Sequence, residues 1–446
     1  MNTNNDHHKL LTLKKAKICI WGCGYIGYST MSFYAKKKIN SIGFDIDKEK
    51  VKHINRGSVN IYGLKNWLGF KIKKNQNKLI SATSNLQSII NNKEIICHFI
   101  CIPTEKDGQP FFKYFNNVLK EIFKRQKNKF NIKECIIIES TLMPNTFDKI
   151  VKKILKKNKK NIDDYHFAVA PRRDWFEDQT KTLETLDRVF GTSNPKSNKT
   201  IHKILSLVTK KVHIASSYQE AELVKSIENS YRHVEITLAN ELSLSYPDKN
   251  IREVLNLVGT KWNMNTYYPG FGTGGYCIPL SSKYVKNGSK YPKKLKIINE
   301  TIKLDSKINE IIARSLIKKG IKNILIFGLS YKSDLKVHIL SPTLQLVKYF
   351  KKKSAKVTLY DPLYSKQEIK KIMDVKTVNK INSLKNFDAI IMMVNHRDFN
   401  KIDLTKLIKN SKIKIILDNS NYFKNKKKLI PNKINYIQTG QAGWLN

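Results

Sequence analysis

The chain has 446 residues, 41% apolar and 26% charged, which is material for about three domains with cores of their own. A small disulfide-stapled module and a low-hydrophobicity disordered chain are both excluded. Lys and Arg number 82 against 36 Asp and Glu, a formal net charge of +46, and a field of that sign draws anionic ligands.

Lysine carries the excess. Only nine of the basic residues are Arg, and the lysines are scattered with Asn and Ile through every segment. Nucleic-acid readers lean on Arg forks and on one basic face, so no nucleic-acid partner is expected. No apolar run approaches the roughly 18 residues of a bilayer span, and Met1–Leu10 has no hydrophobic segment before a cleavage site. The expectation is a cytoplasmic protein with no membrane partner. Cys19, Cys97, Cys101 and Cys135 lie in apolar, strand-like runs, and no CxxC pair occurs. Neither a disulfide framework nor a metal site is expected.

Residues 1–14 read as a polar tail. From Lys17 the order is strand KICIW, turn GCGYIG, a helix to Lys38, and strand SIGFD ending at Asp45. Further apolar runs follow, IICHFIC at 95–101 and CIIIE at 135–139, spaced widely enough for crossover helices. Continuous apolar strands alternating with helices predict a parallel sheet covered on both faces, over residues 15–212. Between Gln219 and Val258 apolar residues recur every three or four positions, as on an amphipathic helix. A Gly-rich break at 269–275 and a second helical stretch, Leu295–Ile317, complete a central helical region at 213–318. After Gly320 come NILIFG, KVTLYD, AIIMMV and IKIILD, a second strand series over 319–446. The predicted fold class is α/β: two Rossmann-like doubly wound parallel-sheet domains joined by helices.

Gly22, Gly24 and Gly27 form GxGxxG directly after a strand, with Tyr25 and Ile26 opening the helix. Such a turn lets a pyrophosphate approach backbone N–H groups at a helix N-terminus. Asp45, 23 residues past Gly22, is placed to accept from a ribose diol, which favours NAD over NADP. The alternative is a glycine turn between packed elements.

The segment YPGFGTGGYCIP places four glycines before Cys277. A backbone that flexible can wrap an anion, and a thiol there can attack an aldehyde. It can equally be a surface loop with an incidental cysteine. Lys225 and Asn229, four residues apart on one helix face, suit an oxyanion, or else form a solvated face.

From Lys17 to Asn421 the order GCGYIG, FDID, CIPT (101–104), ESTLMPNT (139–146), ELVKSIEN (222–229), PGFGTGGYCIP (269–279), GLSYKSD (328–334), YDP (360–362), VNH (394–396) and DNSN (418–421) resembles the UDP-glucose/GDP-mannose dehydrogenase family of nucleotide-sugar 6-dehydrogenases. The resemblance implies an NAD-binding first domain, a helical dimerisation core, a C-terminal UDP-binding domain and an active site between the sheets. It implies two hydride transfers from C6, with Cys277 carrying a thiohemiacetal and then a thioester that water releases as a uronic acid. Lys225 and Asn229 match the oxyanion pair and Thr141 the active-site Thr. Thr104 matches a cofactor contact, and Tyr268, Phe271, Gly272, Gly274, Gly275 and Lys332 match substrate contacts. The implied substrate is UDP-glucose or a UDP-N-acetylhexosamine, and GGYCIP and ENSYRHVEITLANEL resemble members acting on the latter.

Three positions depart from the family. Arg172 stands where a carboxylate assists thioester hydrolysis, with Asp174, Glu177 or Asp178 as substitutes. Ser281 replaces the Asp partner of Lys225. Ile339 replaces an Arg of the third domain, leaving His338 or Lys336 to meet pyrophosphate. The rival readings are a catalytically silent nucleotide-binding homologue and a hydroxyacid dehydrogenase; the second has no use for the sheet after Gly320.

Overall fold

Unbroken apolar strands need cover on both faces, and the chain builds two such sheets. The structure is a computed structural model that describes residues 6–58, 61, 64–69, 78–175 and 178–445. It divides into two compact units, Met1–Glu228 with Asn287–Lys290, and Asn229–Lys286 with Tyr291–Asn446. The helices expected as a separate central domain fall with the second unit from Asn229 onward.

The first unit opens with helix α1 (His7–Thr12). Its sheet comprises β1 (Lys17–Trp21), β2 (Ser41–Phe44), β3 (Ile80–Thr83), β4 (Ile95–Ile100), β5 (Glu134–Ile138), β6 (Tyr165–Val169), β7 (Arg188–Thr192) and β8 (Val212–Ile214). In space they run β8-β7-β6-β5-β4-β1-β2-β3. Alternation assigns the faces. Ile18 and Ile20 join one core with Met31 and Tyr34 of helix α2 (Tyr25–Lys36), while Cys19 and Trp21 join the other with Phe115 and Leu119 of helix α3 (Lys113–Phe123). One junction departs from an all-parallel sheet: β6 and β7 pair antiparallel. Among the described residues the connection between them carries no crossover helix, and without one a strand returns antiparallel.

The second unit carries most of helix α4 (Tyr218–Ser245), then α5 (Ile278–Gly288) and α6 (Lys296–Lys318). Its sheet comprises β9 (Asn323–Phe327), β10 (Lys356–Tyr360), β11 (Lys376–Thr377), β12 (Ala389–Met392), β13 (Ile415–Asp418) and β14 (Asn435–Gln438). The order is β11-β10-β9-β12-β13-β14, with every pairing parallel. Here too, Ile324 and Ile326 face one core and Leu325 and Phe327 the other.

Within the stretch read as a polar tail, α1 is docked. Asp6 caps it by accepting from His8 N at 2.9 Å, His7 Nε2 meets Lys133 O at 2.7 Å, and Leu10 and Leu11 are buried in the first unit's core. Two leucines in an otherwise polar segment are enough to anchor one helical turn. Replacing Leu11, which is fully buried, by Ala is expected to cost the first unit about 2–4 kcal/mol. A lowered midpoint in urea unfolding followed by circular dichroism checks this.

Candidate active site

The turn after β1 has the geometry of a phosphate cradle. Gly22 adopts φ +88°, and a Cβ on Gly27 would lie 1.8 Å from Gly22 O, so helix and strand approach only without a side chain. A Cβ on Gly24, the N-cap of α2, would meet nothing within 4 Å. That opening lies where Tyr25 and Ile26 begin the helix, at the positive end of its peptide dipoles. Asp45 ends the β2 segment and is nearly buried; its carboxylate accepts from Cys23 N at 2.8 Å and lies 3.0 Å from Lys50 Nζ. Turn, helix start and carboxylate fit NAD, and Lys50 adds a cation that sequence reading did not anticipate.

Next to this turn the β4 and β5 loops are joined. Thr104 Oγ1 donates to Thr141 O at 2.5 Å, and Ser140 Oγ accepts from Ile102 N at 3.0 Å. Glu139, which opens the same motif, is fully buried, with Thr30 Oγ1 donating to it at 2.6 Å and the Arg188 guanidinium bound to its other oxygen. Burial raises this carboxyl, but Arg188 and Arg172 outweigh it and hold the group below the usual carboxylate range.

Arg172 points into the first unit. It donates to Thr30 Oγ1 at 2.5 Å and Ser29 Oγ at 3.1 Å on α2, and to Asp174 Oδ2 at 2.5 Å. Asp174 is thereby committed to an ion pair with both partners almost wholly buried. Asp178 holds Thr180 N at 2.8 Å, and Glu177 lies outside the described residues. Asp174, so paired, does not have the freedom expected of a substitute base.

The cysteine loop belongs to the second unit. Cys277 is exposed and immediately precedes α5, at the positive end of its peptide dipoles. Ser281 Oγ donates to Cys277 O at 2.5 Å and accepts from Asn229 Nδ2 at 3.0 Å. The residue in place of the family's Asp therefore ties Asn229 to the backbone of the cysteine. Asn229 is buried and keeps its second amide hydrogen for another acceptor. Lys225 lies one helical turn before it on the same face and is half-buried. Gly275, at φ +77°, packs a bare backbone on the Tyr331 ring and donates its N–H to Ile339 O at 2.9 Å; Gly274 is closed in by Tyr331 and Pro342. Tyr268 is partly exposed, its ring under the Arg252 guanidinium at 4.8 Å. The Phe271 ring faces the core: it is 1% exposed and packs with Ile308, Ile312 and Leu316, which leaves its backbone for a contact with substrate.

Lys332 sits half-buried on the loop after β9. Asp361 shapes that loop by accepting from Leu329 N at 2.7 Å and Ser330 N at 3.0 Å. His396 accepts from Asp334 N at 2.8 Å and lies 3.3 Å from Asp361. Lys336 is drawn to Glu368 at 2.6 Å and His338 stacks edge-on to Tyr364, so both residues offered in place of the missing Arg are engaged within the loop's own surroundings.

Sequence reading missed a buried group beneath the cysteine loop: His233, Ser282, Asp305 and Thr273. Its signal was available in part, since His233 follows Asn229 by four residues.

Comparison with known proteins follows these features. Domain models of the UDP-glucose/GDP-mannose dehydrogenase family match residues 16–208 (NAD binding domain), 219–310 (central domain) and 325–425 (UDP binding domain). The chain is 31% identical to a UDP-N-acetyl-D-mannosamine dehydrogenase from Methanococcus aeolicus over 91% of both. It is 25% identical to a UDP-N-acetyl-D-glucosamine 6-dehydrogenase from Salmonella typhi, covering 87% of this chain and 92% of that one. In fold it is similar to a UDP-D-ManNAc dehydrogenase from Pyrococcus horikoshii, with a TM-score of 0.79 at 22% identity over 96% of this chain and all of that one.

The glycines separate two kinds of loss. Gly27→Ala is expected to lower thermal stability and NADH affinity together. Gly24→Ala is expected to leave the melting temperature unchanged while weakening NADH binding at least about tenfold in a fluorescence titration. Glu222, buried at the start of α4, accepts from Asn145 N at 2.8 Å and Phe147 N at 2.7 Å, yet burial outweighs both and raises its carboxyl to about 7. Its contribution to stability is therefore fully present below the ordinary Glu value and is lost as pH rises through 7. The wild type's advantage over Glu222→Ala in urea should shrink by up to about 3 kcal/mol between pH 4.5 and 8.

Proposed function

The chain belongs to the UDP-glucose/GDP-mannose dehydrogenase family and is an NAD-dependent oxidoreductase acting on an alcohol; from that premise we propose that it oxidises the C6 alcohol of a UDP-N-acetylhexosamine to the uronic acid. The observation that carries this reading is the run of NAD-binding, central and UDP-binding segments along one chain, together with an exposed cysteine at a helix start. The UDP-N-acetylhexosamine names of the relatives at 31% and 25% identity support the substrate class.

NAD, when bound, supplies the acceptor for the hydride leaving C6. One sugar alcohol, two NAD and one water give one carboxylate, two NADH and three protons. Cys277 Sγ adds to the C6 aldehyde as a thiohemiacetal, which is oxidised to a thioester and cleaved by water. The second amide hydrogen of Asn229 and the ammonium of Lys225 are assigned to the oxygen that becomes negative at each addition. Thr141, held by Thr104, is assigned to order the substrate or the attacking water. Tyr268, the glycines at 272, 274 and 275, and Lys332 are assigned to the nucleotide sugar.

Two further assignments accompany this one. A homodimer is supported by Ile227, Tyr231 and Leu238, exposed apolar residues on α4. A cytoplasmic location is supported by six unpaired cysteines; no described helix is long and apolar enough to cross a membrane.

Purified protein given UDP-N-acetylmannosamine, UDP-N-acetylglucosamine, UDP-glucose and GDP-mannose should form two NADH per sugar with an N-acetylhexosamine, followed by absorbance. No NADH with any of them would defeat the proposal. Because Arg172 is turned inward, release should be the slow step. Intact mass spectrometry during turnover is expected to find an acyl adduct on Cys277 that Cys277→Ser lacks, with kcat in that variant at least about a thousandfold lower.

A further inference from the structure

Four glycines leave the segment before Cys277 with little preference for one conformation, so something outside the segment must hold it. Asn229 fixes one point through Ser281. A second and larger restraint centres on His233, one turn further along α4 and almost wholly buried. Its Nε2 lies 3.2 Å from Asp305 Oδ2 on α6, and its Nδ1 lies 2.9 Å from Ser282 Oγ on α5. A carboxylate only accepts, so Nε2 carries the hydrogen, and Nδ1 shares the second bond with Ser282 Oγ, which also donates to Ser230 Oγ at 3.2 Å. Asp305 in turn receives Thr273 N at 2.9 Å and Thr273 Oγ1 at 2.7 Å. Gly272, at φ +84°, is bare where a Cβ would come within 2.8 Å of Asp305 Oδ1. The imidazole thus links Thr273, four residues before the cysteine, with Ser282, five residues after it.

We propose that His233 is the positioning residue of the cysteine loop: by joining Ser282 to Asp305 it fixes both arms of the segment from Thr273 to Ser282 and so presents Cys277 in one orientation. The inference rests on the reading of Cys277 as the nucleophile, but its central claim, the tethering, is measurable without substrate.

The test compares the full-length wild type with His233→Phe, Asp305→Asn, Ser282→Ala and the double variant His233→Phe/Asp305→Asn. Amide hydrogen exchange across residues 272–282 is expected to rise at least about tenfold in His233→Phe, with the cofactor turn at 22–27 unchanged. The single variants at 305 and 282 should each give a smaller rise. Because the amide at 305 keeps an oxygen for Thr273 N and loses chiefly the charge that faces the ring, the double variant should exchange little faster than His233→Phe alone. Iodoacetamide capture of Cys277, the one exposed cysteine among the described residues, should change rate in step with exchange. Turnover should lose kcat by about tenfold while the NADH dissociation constant stays within about twofold. Loop exchange unchanged in His233→Phe, or full additivity in the double variant, would overturn the proposal. Should His233→Phe fail to fold, unchanged loop exchange in both Asp305→Asn and Ser282→Ala would overturn it equally. A wild type that makes no NADH with any nucleotide sugar, yet whose loop loosens in these variants, would keep the tether and remove only the catalytic reading of Cys277.

Discussion

A nucleophile placed after four glycines is useful only if its backbone is held from outside, and in this chain the holding is done by one face of one helix. Asn229 and His233, at four-residue spacing on α4, reach the two ends of the loop through Ser281 and through the Ser282–Asp305 pair. Each bond is worth only about 1 kcal/mol net, but a buried polar group left unmade costs more, so the set favours a single arrangement. The spacing that puts the Lys225 ammonium and the Asn229 amide on one helix face also lines up the residues that tie down the cysteine loop.

The first unit follows a different economy of charge. Glu139, Arg172, Arg188 and Asp174 form a buried set in which every carboxylate meets a guanidinium. Removing one member would strand the others away from water, which costs far more than the set contributes intact. Arg172 is therefore a structural part of the floor beneath α2, joined to Ser29 and Thr30, and the hydrolysis proposed above would draw its water without a carboxylate from that position.

Much of this architecture was legible from local pattern. The strands announce themselves as apolar runs, and the glycine spacing at 22, 24 and 27 with Asp45 marks the cofactor turn because each residue acts within one βαβ unit. What the sequence concealed depends on partners far apart along the chain. The inward turn of Arg172 needs Thr30, 142 residues earlier, and the His233 group needs helices that begin 45 and 63 residues later. Phe271, matched to a substrate contact by resemblance alone, has its ring buried against α6, a long-range placement its glycine neighbours do not reveal. The docking of α1 was similarly hidden, since two leucines hardly alter the polar composition of the first dozen residues.

The bond from Gly275 N to Ile339 O joins the cysteine loop to the stretch that follows Lys332, both within the second unit. Two segments sharing a hydrogen bond are energetically coupled, so a ligand bound at the stretch after Lys332 would alter the free energy of the thiol's surroundings, and thermodynamic reciprocity would make the effect mutual. On the proposed function, occupancy at one end of a nucleotide sugar would be felt at the other through the protein as well as through the ligand.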